Sequence, residues 1–367
     1  MKVNRRAGLL AIILGLVGLA SCGGSSSSGG SGSTGRNAFL ALPQANAIAA
    51  YRVDTSSGGF KSVLGSPFSG GTSPSSIAVH PSGKFVYAAN QSGNDISLFK
   101  IDSNTGELTE ALPRTVAGLN PTSMVMSSGG DLVFVANETS NNISVFSVSA
   151  SDGTLTEAQG SPFATGARPV ALALSPSGQF LYVGSGNLAF VFGYSVASGT
   201  GSLAAIPNSP FAVQSAPLAL AIDPSGQFLY ATNFSANTIS GMKIDSGTGA
   251  LALTLGSPFA TGKNPIAVTV HPSGKFLYVA NLGDNNISAY TIDSSTGVTT
   301  QLEKSPFTAG TGPVFVTTDP AGKFLYVCNQ TAKTVTQSAI NQDGGGIPAS
   351  TTTTTTNLAP AELVFAK

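Results

Sequence analysis

Few residues in this chain could do acid–base or metal chemistry. Among 367 residues there are two His, two Cys and no Trp, and 17 basic side chains balance 17 acidic ones. His80 and His271 each stand directly before a Pro. Asp223 and Asp319 hold the same place in other copies of one recurring segment, and Ser127 and Ser175 in two more. Such residues open tight turns by bonding backbone N–H groups. On successive units of a ring they would also gather on one rim, where Asp223, His271 and Asp319 could form a carboxylate–imidazole cluster. At the other rim the candidates are Arg168 and Lys263, which precede apolar runs, and Glu362, the one acidic residue inside such a run. Asn90, Asn137, Asn233, Asn281 and Asn329 close another set of apolar runs. They predict a mouth rich in amides and suited to binding, or else caps on the strands they end.

Other chemistries lack their signatures. There is no Gly-x-Ser-x-Gly elbow, phosphate-binding Gly-Lys-Ser/Thr loop, His-Glu-x-x-His pair or paired Cys ligands. No cofactor and no metal are therefore expected. Charged residues are 9% of the chain, against about 25% in an average soluble domain. A balance with no basic face excludes nucleic acid as a partner.

These residues must be positioned by strands. Gly (44) and Pro (21) recur too often for helices. An aromatic anchor falls at Phe39, Tyr87, Phe134, Tyr182, Tyr230, Tyr278 and Tyr326, at spacings of 48, 47, 48, 48, 48 and 48. A period of 40–50 residues with four short strands is the mark of a β-propeller blade. The sequence thus predicts an all-β, seven-bladed propeller with four antiparallel strands per blade. Low charge follows, because sheets packed between sheets leave few wet positions. Counting strands shows the chain entering at a second strand near Ala38 and leaving on a first strand over residues 361–366. The C-terminal strand must then complete the N-terminal blade and close the ring.

The propeller is expected over residues 37–367. Before it, residues 1–21 read as a secretory signal: Lys2, Arg5 and Arg6, then an apolar run over 7–20 too short to span a bilayer. Leu19-Ala20-Ser21-Cys22 resembles a bacterial lipobox, which implies a lipid on Cys22 and a membrane as partner. Residues 22–36 form the lipidated Cys and a Gly/Ser tether. The protein is expected to be exported, membrane-anchored and monomeric.

Three motifs recur together: Ser-Pro-Phe-x-x-Gly-x-x-Pro, as at 257–265; Pro-Ser-Gly-x-Phe-Leu-Tyr-Val-x-Asn, as at 272–281; and Asp-x-x-Thr-Gly-x-Leu, as at 245–251. The chain resembles the seven-bladed lactonase-like propellers, relatives of 6-phosphogluconolactonase and carboxymuconate cyclase, over nearly all of 37–367. The resemblance implies the fold and a lactone-hydrolysing activity. That chemistry needs a water-activating base near a cation, so Arg168, Lys263 and Glu362 are its candidate catalytic residues. Fold alone does not carry function. The first expectation is a non-catalytic propeller that binds a small molecule or envelope component at its mouth. Lactone hydrolysis is the alternative, and an envelope interaction module the third reading.

Overall fold

A computed structural model describes residues 35–348 and 351–366. The leader (1–21), the lipidation at Cys22 and nearly all of the tether lie outside the described residues.

Seven antiparallel sheets form the described body. Numbered along the chain, blades 2 to 7 cover residues 74–116, 121–164, 169–212, 220–260, 265–308 and 313–355, and blade 1 covers 36–69. Blade 6 shows the plan: Pro265–Val270 lies innermost, followed by Phe276–Asn281, Asn286–Ile292 and the outer Thr299–Gln301. The second strand is buried at every residue in blades 2 to 7, because both its faces meet a neighbouring blade.

Blade 1 is completed from the far end of the chain. Leu363–Phe365 supplies its innermost strand, pairing Leu363 with Leu40, Val364 with Phe39 and Phe365 with Ala38. The ring therefore closes by union of the two chain ends, as strand counting predicts. Closure removes edges open to foreign strands.

The four-strand expectation needs refinement. Five blades carry a fifth short segment, such as Phe307–Thr308, beside the third strand. The Ser-Pro-Phe motif produces it. The outer strand ends at a turn just before the Pro, as where the Ser305 N–H bonds Leu302 O at 2.9 Å, and the Pro itself has no N–H for the ladder. The preceding Ser takes over: Ser305 Oγ accepts the Ala289 N–H at 3.0 Å, and Ser257 Oγ that of Gly241 at 3.0 Å. Pairing then resumes at the Phe. The Thr-rich stretch near the C-terminus is a true outer strand over Thr352–Thr355.

Blade joins blade through the aromatic anchor. Tyr87, Tyr182, Tyr230, Tyr278 and Tyr326 each donate a hydroxyl to a Gly carbonyl of the next blade (Gly153, Gly249, Gly297, Gly345 and Gly58), at 2.7 to 3.0 Å. Gly297 shows why the turn needs glycine. Its φ is +71°, and a Cβ there would lie 2.2 Å from the Phe228 ring.

Candidate functional site

The seven inner strands surround a central channel. At the end where those strands begin, a cavity of about 480 Å³ takes residues from all seven. The position two residues after the opening Pro of each inner strand faces it, with Ser76, Ser123, Ala171, Ala219 and Ala267 in blades 2 to 6 and Phe315 in blade 7. In blade 1 that position is Glu362. Among the described residues lining the cavity, Glu362 is the one ionisable side chain, and it also lines a second cavity further along the channel.

Glu362 is held by its neighbours' backbone. One carboxylate oxygen accepts the Ile77 N–H at 3.0 Å, and the Ser76 hydroxyl donates to the same group. Ser76 Oγ in turn accepts the Met124 N–H at 3.0 Å, so its own proton is left for the carboxylate. Ser123 continues the pattern one blade on, accepting the Leu172 N–H at 3.2 Å. The channel reaches part of the Glu362 surface, while surrounding protein strips away bulk water. That desolvation outweighs the two hydrogen bonds and pushes the carboxyl up to about 7. Cys328, buried behind the inner strand of blade 7, is driven upward by burial first and by the Glu362 charge second, so it stays a neutral thiol.

The structure separates the three candidate catalytic residues. Arg168 lies outside the cavity, exposed, in the left-handed region at φ +41°. Its guanidinium is paired with Glu138, which also accepts from Asn120 Nδ2 at 2.8 Å. Lys263 is exposed in the loop before blade 6, its backbone N–H donating to Asp284 at 2.8 Å. Of the three, Glu362 alone lines the channel.

The five asparagines are fully buried and present no amide to the mouth. Each donates Nδ2 to a hydroxyl on the third strand of its own blade: Asn90 to Ser97, Asn137 to Ser144, Asn233 to Ser240, Asn281 to Ser288 and Asn329 to Thr336, at 2.7 to 2.9 Å. In four of the five a Gly of the preceding loop lies over the amide, and a Cβ on Gly262 would sit 2.7 Å from Asn281 Nδ2; Asn233 Oδ1 instead accepts the Gln214 N–H at 3.2 Å. The recurring seven-residue interval from Asn to Ser or Thr was the sequence signal of this lock.

His80, Asp223, His271 and Asp319 are also buried, one per turn, and work as turn caps. Asp223 Oδ1 accepts the N–H groups of Gln227 and Phe228 at 2.8 and 2.7 Å, and Asp319 Oδ1 accepts that of Phe324 at 2.7 Å. His271 Nδ1 accepts the Ser273 N–H at 3.1 Å, which leaves Nε2–H to donate to Gly322 O of the next blade at 2.7 Å. His80 does the same with Ser82 and Gly130. No group of three or more His, Cys, Asp or Glu gathers as a ligand set among the described residues.

A closed ring of seven blades around a channel with a single carboxyl among its described lining residues defines a propeller with a small polar site. The family described as the seven-bladed β-propeller lactonases matches residues 32–164, 159–266 and 254–359, and the chain belongs to it. No curated protein matches the chain. Among solved structures, the periplasmic gluconolactonase PpgL of Pseudomonas aeruginosa is similar at 22% identity and TM-score 0.78, covering 91% of this chain and 99% of that one. A Bacteroides fragilis protein provisionally named as a 6-phosphogluconolactonase is similar at 19% and 0.77, covering 94% and 100%. A Bacteroides uniformis protein of the same provisional name gives 18% and 0.76, covering 90% and 99%. At such identities these likenesses speak for the fold.

Proposed function

We propose that the protein hydrolyses a lactone at the mouth of its central channel, with Glu362 as the general base. Family membership supports this reading over the non-catalytic binding placed first on sequence grounds, which leaned on asparagines that are buried. The observation that carries it is a lone carboxyl among the otherwise uncharged described lining residues of the cavity, poised near neutrality. A base is most effective with a pKa near the working pH. The carboxylate takes a proton from water as that water attacks the lactone carbonyl. When the ring C–O bond breaks, the carboxylic acid returns the proton to the leaving oxygen. The product is the hydroxy acid, and Glu362 ends as it began. Assay of a panel of sugar and aryl lactones tests this reading. Turnover by the parent chain and at least a hundredfold loss in Glu362→Gln support it; equal turnover by both chains removes Glu362 from the chemistry.

The reaction takes place outside the cytoplasm, on a chain anchored through Cys22. Supporting this are the basic start, the short apolar run and the Gly/Ser tether of residues 1–36. Cys22→Ala should move the protein from the membrane fraction to the soluble fraction; unchanged membrane retention would refute the anchor.

A further inference from the structure

The charges around the channel bear on which lactone enters it. Among the described lining residues of the mouth cavity there is no cation. Its walls are hydroxyls (Ser76, Thr122, Ser123), aliphatic side chains, Phe315 and the Glu362 carboxyl. Outside the cavity, Lys263 stands exposed in its loop, off the wall, while the nearby arginines are engaged. Arg168 is paired with Glu138, and Arg114 with Glu110 at 2.7 Å. The burial that raises Glu362 is opposed by hydrogen bonds from Ser76 and Ile77, with no cation contributing.

A phosphate monoester brings a charge of about −1.5 to −2 at neutral pH. Proteins usually meet such a group with Arg, Lys or a run of backbone N–H groups at a helix start. Here it would lose water inside the channel and face a carboxyl with no cation on the described cavity wall to compensate. An uncharged polyhydroxy lactone meets hydroxyl partners instead, and its own charge does not oppose ionisation of Glu362.

We infer that this site takes an uncharged lactone and excludes the phosphate ester of the same lactone. The inference rests on the lactonase reading and narrows it to a substrate class. The phosphate on a sugar lactone would therefore have to be removed, or never added, before the lactone reaches this protein.

The test compares D-glucono-1,5-lactone with its 6-phosphate ester on the purified full chain, beside Glu362→Gln. The expected result is kcat/KM at least a hundredfold higher for the uncharged lactone. Ala219→Lys, which brings a cation to the channel wall, should narrow that ratio at least tenfold, and added salt should narrow it too. Equal or better use of the phosphate ester, still lost in Glu362→Gln, overturns the inference and leaves the hydrolase reading standing. Failure to hydrolyse either compound or any lactone of the panel overturns both.

Discussion

The hydroxyl of Tyr326 donates to the carbonyl of Gly58 at 2.9 Å, joining residues 268 positions apart in the chain. Tyr326 belongs to the last blade and Gly58 to the first, so this bond crosses the seam that the chain ends must close. The Tyr326 ring also packs on Phe365 of the closing strand and on Phe60, with centroids 5.0 and 5.2 Å away. Tyr326→Phe keeps this packing and leaves a buried carbonyl without its donor. A loss of about 1 to 2 kcal/mol is expected, read from urea unfolding with Tyr230→Phe, at an interior seam, for comparison. Phe39 and Phe134 stand at the same repeat position, so the fold itself should survive.

Deleting residues 361–367 removes the closing strand and exposes the inner edge of Arg36–Leu42. The truncated chain should aggregate or lose its cooperative transition, as followed by size exclusion and circular dichroism. A monomer as stable as the parent would show that closure contributes nothing.

In the proposed hydrolysis Glu362 acts in its ionised form, so kcat should rise as pH passes through about 7 and then level. Ser76 holds that value down by donating to the carboxylate. In Ser76→Ala the acid limb of the profile should therefore move to higher pH, with the plateau less affected. A profile that loses height without moving would assign Ser76 a role in packing alone.

The same carboxyl opposes folding in alkali. Its pKa is raised above the ordinary value of 4.5, so the folded chain binds more protons than the unfolded one between pH 4.5 and about 7. Stability from this group is complete below pH 4.5 and declines as pH climbs through 7. Glu362→Gln should thus be more stable than the parent at pH 8, by roughly 1 to 2 kcal/mol, and should gain less or nothing at pH 5. Thermal unfolding at the two pH values measures the difference.

His80 has the opposite sense. Burial holds its imidazole below 6.5, and the neutral ring is the form that accepts from Ser82 and donates to Gly130. Its contribution is full above pH 6.5 and is lost as acid protonates Nδ1. Tm should fall between pH 7 and pH 5, and less steeply in His80→Gln. Identical slopes would place the acid sensitivity elsewhere.

Much of the fold was legible because one constraint was written seven times. Anchor spacing fixed the blade, and the count of strands fixed the closure, since a strand missing at one end was spare at the other. The site was less legible. Polar residues at strand ends suggest a wet rim, yet Asn281 is sealed beneath Gly262 and bonded to Ser288. Arg168 and Lys263 precede inner strands in sequence, but their loops carry them off the cavity wall. Glu362 was identifiable because an acid inside an apolar strand has to face something other than a neighbouring blade.

Glu362 occupies a slot that the ring repeats, filled elsewhere by Ser76, Ser123, Ala171, Ala219, Ala267 and Phe315. Each blade aims this position at the same volume, and the inner strand that carries it pairs with the second strand of its blade. A substitution at one of the other six slots would add a functional group facing the first from another blade. The architecture thus separates inheritance of shape from invention of chemistry, and new specificities can be sampled one blade at a time.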